Sequence, residues 1–411
     1  MHSFTQDCSS FLTTPPLPSF IPLVDVRAIA PSEQTGFESS LHGQIQQAIQ
    51  SVLAQGDYIL GRAVIEFELA FASACTSPYG VGVGSGLDAI ALGLIACGIK
   101  PRDEVLLPAN APISTAMGVV AAGATPVFVD VVLTTGLLDL VAAEKAITPQ
   151  TRALVPVHQF GQMVSPRQLL DLASTFDLLI FEDATQAHLA EREGYRAGAV
   201  GVAAAFCFLP WRNLGGMGDG GMVVTADEGV AQGVRSLRDS GISRRHHHTR
   251  LGTCSRLDSI QAAVLSVKLP QLPAWNGDRH CLARHYDHAL IHLNLPGITA
   301  LRNETGRGHS YERYTIRVSD QAVVNAFLLQ AMLANQGIQT EMPWGKPCYR
   351  QPAFQPYHPS HCPNTDLLSQ QALSLPLYPS LSAEQQRRVV QALQSACQTS
   401  TRLYSPGHPC G

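Results

Sequence analysis

The sequence predicts an α/β fold, a mostly parallel sheet covered on both faces by helices and followed by a smaller α+β unit. Three observations predict it. Between about residues 80 and 225, short apolar runs alternate with stretches of helical periodicity, the signature of βαβ units. From near Asp278 the pattern changes to one strand-like stretch among helices. At 411 residues and 45% hydrophobic, the chain can bury a large core across two or three domains.

The elements follow in order. Val81 to Val83 leads into Gly84-Ser85-Gly86, after which Leu87, Ile90, Ala91, Leu94 and Ile95 recur at helical spacing. Buried strands are expected at Glu104 to Leu107, ended by Pro108, and at Pro126 to Val129, ended by Asp130. Others are expected at Ala153 to Val157, Leu178 to Phe181, Ala203 to Phe208 and Met222 to Thr225. A helix is expected from about Asp258 to Leu272, ending near Pro270. The smaller unit offers a strand at Tyr314 to Val318 and helices at Ala322 to Gln336 and Ala383 to Ala396. The expected organisation is a flexible tail over 1–20, a large domain over 21–275, a small C-terminal domain over 276–398 and a loose tail over 399–411. In such sheets ligands gather at the carboxyl ends of the strands. The candidates there are Ser85, Pro108 to Ser114, His158, Asp183 and the segment after Phe208.

Composition narrows the partners. The net charge of −4, from 28 basic and 32 acidic residues, gives no nucleic-acid footprint. No run of about 18 apolar residues exists, so no membrane span is expected. The N-terminus lacks the charged start and apolar centre of a signal peptide, and the ten scattered cysteines show neither CxxC nor zinc spacing. A cytoplasmic protein with reduced thiols and no metal is therefore expected. His246-His247-His248 reads as a solvated loop. Only four of the 28 basic residues are lysines: Lys100, Lys145, Lys268 and Lys346.

Nine stretches carry a resemblance. The first are Gly56-Asp57-Tyr58-Ile59-Leu60-Gly61, Gly84 to Ala89, Gly123 to Asp130, and Pro156-Val157-His158-Gln159-Phe160-Gly161-Gln162. The others are Glu182 to His188, Asn213-Leu214-Gly215-Gly216, Gly218-Asp219-Gly220-Gly221, Ser255-Arg256-Leu257-Asp258 and Ser374 to Pro379. In this order, over about 21 to 397, they resemble the DegT/DnrJ/EryC1/StrS sugar aminotransferases, a fold-type I family that uses pyridoxal phosphate (PLP). The resemblance implies a fold-type I aminotransferase-like architecture with a seven-stranded type of sheet. It also implies a homodimer with both active sites at the interface, acting on a small-molecule substrate.

PLP chemistry asks for a lysine to attach the cofactor, a carboxylate to hold the pyridine nitrogen protonated, and donors for the phosphate. By resemblance, Asp183 is that carboxylate and Gln186 contacts the ring oxygen. The lysine is missing: where the family reads Pro-Thr-Lys-Asn-Leu-Gly, this chain reads Pro210-Trp211-Arg212-Asn213-Leu214-Gly215. A guanidinium stays protonated and is no amine nucleophile. Other family contacts differ as well. Leu87 stands for a phosphate-binding threonine beside Ser85 and Gly86. Pro112 stands for the stacking aromatic after Asn110, Cys207 for a serine, Cys254 for an asparagine, and Glu312 for a histidine.

These changes lead to the expectation of a protein that works without PLP. It would perform a non-redox step such as cyclisation or elimination on a fairly apolar carbonyl- or carboxylate-bearing metabolite, with no cofactor bound. Arg212, Asp183, His188, His158 and Glu312 are the candidate catalytic residues. Ser85, Gly86, Leu87, Asn110, Pro112, Gln186, Cys207, Trp211, Asn213 and Cys254 line the expected pocket. Two alternatives stand beside it: a non-catalytic partner of an active aminotransferase, and a sugar aminotransferase or dehydratase that holds pyridoxamine phosphate (PMP) non-covalently.

Overall fold

The computed structural model describes residues 20–26, 40–357 and 361–403. The expected tails at 1–19 and 404–411 lie outside the described residues.

Helices α1 (Leu41–Gln55) and α2 (Arg62–Ala74) precede the first strand. The main sheet is built from β1 (Tyr79–Val83), β2 (Glu104–Pro108), β3 (Thr125–Val129), β4 (Thr151–Leu154), β5 (Leu179–Asp183), β6 (Ala203–Cys207) and β7 (Gly221–Thr225). Its order is β1-β7-β6-β5-β4-β2-β3. Only β7 runs against the others, since it pairs antiparallel with β1 and β6 while the remaining pairs are parallel. The fold class expected from the apolar runs is thus the observed one. Helices α3 (Gly86–Ala96), α4 (Ile113–Ala121), α5 (Leu140–Lys145), α6 (Pro166–Phe176), α7 (Glu228–Leu237) and α8 (Ser259–Lys268) complete this part. β5, β6 and β7 are buried almost throughout, which explains their continuous apolar character.

A second core forms around a three-stranded antiparallel sheet, in the order β8 (Ile298–Ala300), β9 (Tyr314–Val318), β10 (Ala372–Leu375). Helices α10 (Ala326–Ala334), α11 (Pro363–Gln371) and α12 (Ala383–Leu403) accompany it. α12 continues through 399–403, where a loose tail was expected.

α8 ends at Lys268, near Pro270 as expected, but the chain does not leave the helical path there. After α8 the chain makes a 3-10 turn over Leu269–Gln271 and enters α9 (Leu272–Leu293) directly. Pro270 and Pro273 each lie at the start of their helical segment, where a missing N–H costs nothing. The division expected between residues 275 and 276 falls inside α9.

Two glycines set the entrance to the site. A Cβ on Gly221 would lie 2.2 Å from Ser85 O, and one on Gly86 would lie 2.7 Å from Cys207 Cβ. Both contacts are closer than any side chain allows. The N-terminus of α3 is therefore pressed against the ends of β6 and β7.

Candidate functional site

The site lies past the carboxyl ends of β5 and β6. Asp183 ends β5 and is 1% exposed. Its Oδ1 accepts from Thr185 N–H (3.0 Å) and Thr185 Oγ1 (2.6 Å), and its Oδ2 accepts from Thr115 Oγ1 (2.6 Å). A carboxylate has about four acceptor positions, so Oδ2 retains one for a further donor. Asp183 is a fixed, buried carboxylate with one acceptor position not used by these three bonds.

Gln186 accepts from Phe160 N–H at 2.7 Å through Oε1, which leaves its amide N–H groups to offer. Phe160 adopts the left-handed region (φ 55°) and stacks on Trp344, with ring centroids 5.1 Å apart. This conformation is uncommon for a bulky residue and is held by its surroundings. Glu312 N–H donates to Phe160 O (2.7 Å) and Ser310 N–H to Gly161 O (3.1 Å), so the segment before β9 docks onto the loop after β4.

That docking brings Glu312 to Arg212. Arg212 Nη1 donates to Glu312 Oε1 at 2.9 Å, with side chains 9% and 1% exposed. Burial by itself works against the Arg212 charge. Glu312, Cys207 and Asp183 together outweigh it, and the guanidinium is held above its usual pKa. Glu312 also lies 3.4 Å from Arg313 Nε, and Arg313 pairs in turn with Glu341. An alternating chain of four charges thus joins the loop after β6 to the segment before β9 and to Glu341, which bridges Ser374 of β10.

A cavity of about 240 Å³ opens beside these groups. Asn110, Pro112, Phe160, Gln186, Arg313, Glu341, Trp344 and Lys346 are among the residues that line it. Asn110 and Asn213 are tied into structure: Asn110 donates to Gly136 O (2.8 Å), Asn213 to Asn276 Oδ1 (2.9 Å) and Ser310 O (2.8 Å). Ser85 caps α3 by accepting from Asp88 N–H. Cys207 is buried against Gly86, Leu87 is half-buried, and Cys254 is exposed, its Sγ accepting from Arg256.

Of the sequence-predicted residues, Asn110, Pro112 and Gln186 line this cavity, whereas Ser85, Gly86, Leu87, Asp183, Cys207, Arg212, Asn213, Cys254 and Glu312 do not, and neither do His158, His188 and Trp211. His158 is fully buried: its Nε2 meets Glu182 Oε2 at 3.0 Å and its Nδ1 accepts from Val164 N–H. Glu182 also accepts from the Gly198, Val200 and Gly201 amides, so the pair organises the turn before β6. His188 is fully buried among Phe71, Phe206 and Phe208, with centroid distances of 5.7 to 6.2 Å. Neither imidazole reaches the cavity, which removes the geometry required for acid–base work. Trp211 is 42% exposed and lies outside the cavity, so it does not dry the pocket. Sequence reasoning in turn missed Thr115, Thr185 and Trp344. A threonine beside each strand end was visible, but not its approach to Asp183.

Burial, and next to it the Arg212 charge, push the His188 pKa down to about 3. The unfolded chain therefore binds one more proton than the folded one between about pH 6.5 and 3. His188 contributes stability that is fully present above about pH 6.5 and is lost as pH falls toward 3, at up to about 1.4 kcal/mol per pH unit. His188→Leu should flatten the fall in unfolding free energy over that window, measured by urea denaturation at stepped pH. An unchanged slope would show that His188 is not held neutral.

The residues present fit a pyridoxal-type cofactor at its ring. Asp183 keeps an acceptor for the ring nitrogen, and Gln186 keeps its amide donor. They do not fit attachment at position 212, because Arg212 offers no free amine and is committed to Glu312. At the phosphate end Ser85 and the α3 amides remain, while Leu87 and Cys207 offer no hydroxyl. Among the described residues no group of His, Cys, Asp and Glu is arranged to hold a metal ion. No helix among them is long and apolar enough to cross a membrane.

The profile of the DegT/DnrJ/EryC1/StrS aminotransferase family matches residues 39–394. A dTDP-3-amino-3,4,6-trideoxy-alpha-D-glucose transaminase of Streptomyces venezuelae is 39% identical over 376 residues, 91% of this chain and 95% of that one. The erythromycin biosynthesis sensory transduction protein EryC1 of Saccharopolyspora erythraea is 38% identical, covering 86% and 96%. Among solved structures, S. venezuelae DesV in complex with a ketimine intermediate superposes with a TM-score of 0.86 at 38% identity, over 93% of this chain and 99% of that one. NtdA of Bacillus subtilis with bound PMP does so at 0.83 and 27% identity, over 94% and 87%.

These findings correct two expectations. The reading of PLP-independent cyclisation or elimination is overturned by near-full-length relatives named as sugar transaminases. The expectation of no cofactor is overturned with it, since a structural relative carries PMP.

Proposed function

The chain belongs to the DegT/DnrJ/EryC1/StrS aminotransferase family, and from that premise we propose that it is a sugar aminotransferase whose cofactor is held without a bond to position 212. The observation that carries this reading is Asp183. It is a buried carboxylate fixed by Thr115 and Thr185, with an acceptor position left over. A pyridoxal-type cofactor would supply the electron sink for moving an amino group. Asp183 would keep its ring nitrogen protonated, Gln186 would donate to the ring oxygen, and the α3 N-terminus with Ser85 would face its phosphate. Arg212, bonded to Glu312, would act as a fixed cation rather than as a nucleophile.

The substrate class follows from relatives that share about nine-tenths of this chain and are named for amino sugars linked to nucleotides: a keto sugar carried on a nucleoside diphosphate. We also read the protein as a homodimer with its sites at the interface. Support comes from exposed apolar side chains on the surface, among them Ile65 (54%), Leu69 (63%) and Leu251 (97%).

The test is amino transfer itself. PMP-loaded protein mixed with a nucleotide-linked keto sugar should give the amino sugar, seen by mass spectrometry, with pyridoxal phosphate as co-product. Unchanged sugar in the presence of bound PMP would contradict the assignment.

A further inference from the structure

Three buried cations meet outside the cavity described above. Arg212, Lys268 and Arg279 line a recess of about 60 Å³ that shares no lining residue with that cavity. They come from three places in the chain: the loop after β6, the end of α8 and α9. Lys268 and Arg279 are 6% and 4% exposed, and the Arg212 side chain is 9% exposed. Val24, Trp275 and Pro379 add apolar lining.

Their donors are incompletely used. Lys268 Nζ donates to Gly215 O at 2.6 Å, and an ammonium has two further N–H groups to offer. Arg279 Nη1 donates to the carbonyls of Tyr311, Glu312 and Leu377 at 3.1 to 3.4 Å. Its Nη2 takes no partner among the described residues, and its Nε is enclosed without one. Arg212 Nη1 donates to Glu312, and its Nε is likewise enclosed without a partner. The charges do not balance either. Among the described lining residues Asp25 is the one acid against three cations. Glu312 adds a second carboxylate beside Arg212 but is shared with Arg313. Asp183 and Cys207 act on Arg212 only. Burial pushes Lys268 down to about 8 with no acidic neighbour opposing it, and Arg279 down to about 10 with Glu312 alone opposing. A buried cation left uncompensated is costly.

We infer that this recess is a binding site for a small monovalent anion, held by Lys268 Nζ and Arg279 Nη2 with Arg212 beside them. Size sets the class. A water molecule needs about 10–15 Å³ of such space, so a halide ion or a single carboxylate group fits and a nucleoside diphosphate does not. The anion supplies the negative charge that Lys268 and Arg279 lack. It also ties α9 and the end of α8 to the loop that carries Arg212. The inference stands whether or not a pyridoxal-type cofactor binds, because none of its donors is assigned to that group.

The experiment titrates the full chain with potassium chloride and follows the chloride NMR line, which broadens when the ion exchanges with a protein-bound state. Saturable broadening, reversed by bromide, is expected for the wild type. Lys268→Met and Arg279→Met should each weaken it roughly 10- to 150-fold, the range for one hydrogen bond to a charged group. Both replacements keep an unbranched side chain, and circular dichroism confirms that each variant is folded. Arg284→Gln removes an exposed cation of the same helix outside the recess and should change nothing. Competition by formate separates the two sources: displacement of chloride admits the carboxylate of an organic acid, and its absence restricts the site to halides. Broadening of the folded wild type that never saturates would overturn the inference. So would saturable broadening that is unchanged in both folded variants, because the ion would then sit elsewhere.

Discussion

Glu312→Ala should lower the unfolding free energy by about 3–5 kcal/mol, the range for removing one partner of a buried ion pair. Glu312 is 2% exposed and stands among guanidinium groups. Arg212 bonds to its carboxylate, Arg313 lies within 3.4 Å of it, and Arg279 donates to its backbone carbonyl. Burial already pushes Arg279 down to about 10, with Glu312 opposing the shift. Removing the carboxylate strands Arg212 at 9% side-chain exposure with nothing of opposite sign bonded to it. The double variant Arg212→Met/Glu312→Leu should recover most of the loss, because apolar residues of similar volume often replace a buried pair without cost. Urea midpoints of the single and double variants give the comparison. Equal stability of wild type and Glu312→Ala would show that the pair does not hold the two segments together.

Asp183→Asn should weaken PMP binding roughly 10- to 150-fold, corresponding to about 1.5–3 kcal/mol for a hydrogen bond to a charged group. Asparagine keeps the shape of the side chain and one oxygen for the Thr115 or Thr185 hydroxyl, so the fold should survive. What it loses is the negative charge facing the ring nitrogen. Isothermal titration of both proteins with PMP reads the difference. A change below about twofold would mean that Asp183 serves only to end β5 and cap the following turn.

Much of this molecule was legible in one dimension. β2, β3, β5, β6 and β7 are short apolar runs between breaking residues, and in a sheet covered on both faces burial alone specifies such strands. Asp183 was legible because it ends one of those runs, and Gln186 because the stretch Glu182 to His188 resembles the family's. Other features were hidden for physical reasons. Pro270 read as a stop, yet a proline at the start of a helical segment is compatible with a chain that continues as a helix. His158 and His188 have the residue type of acid–base groups, but nothing local shows that Glu182 and three phenylalanines enclose them. Arg212 and Glu312 were each visible as unusual residues, while their pairing spans 100 positions. The loop carrying Lys346 was placed only by distant contacts. Its place depends on Trp344 meeting Phe160 and on Cys348 entering the core of a distant sheet.

The central claim is that this site still holds a pyridoxal-type cofactor although arginine stands at the attachment position. Equilibrium dialysis of the purified full-length protein against PMP tests it most directly, because PMP has no aldehyde and binds only through contacts such as those of Asp183 and Gln186. Saturable binding of one PMP per chain, weakened in Asp183→Asn, is the predicted result. No saturable binding by the folded wild-type protein would contradict the account.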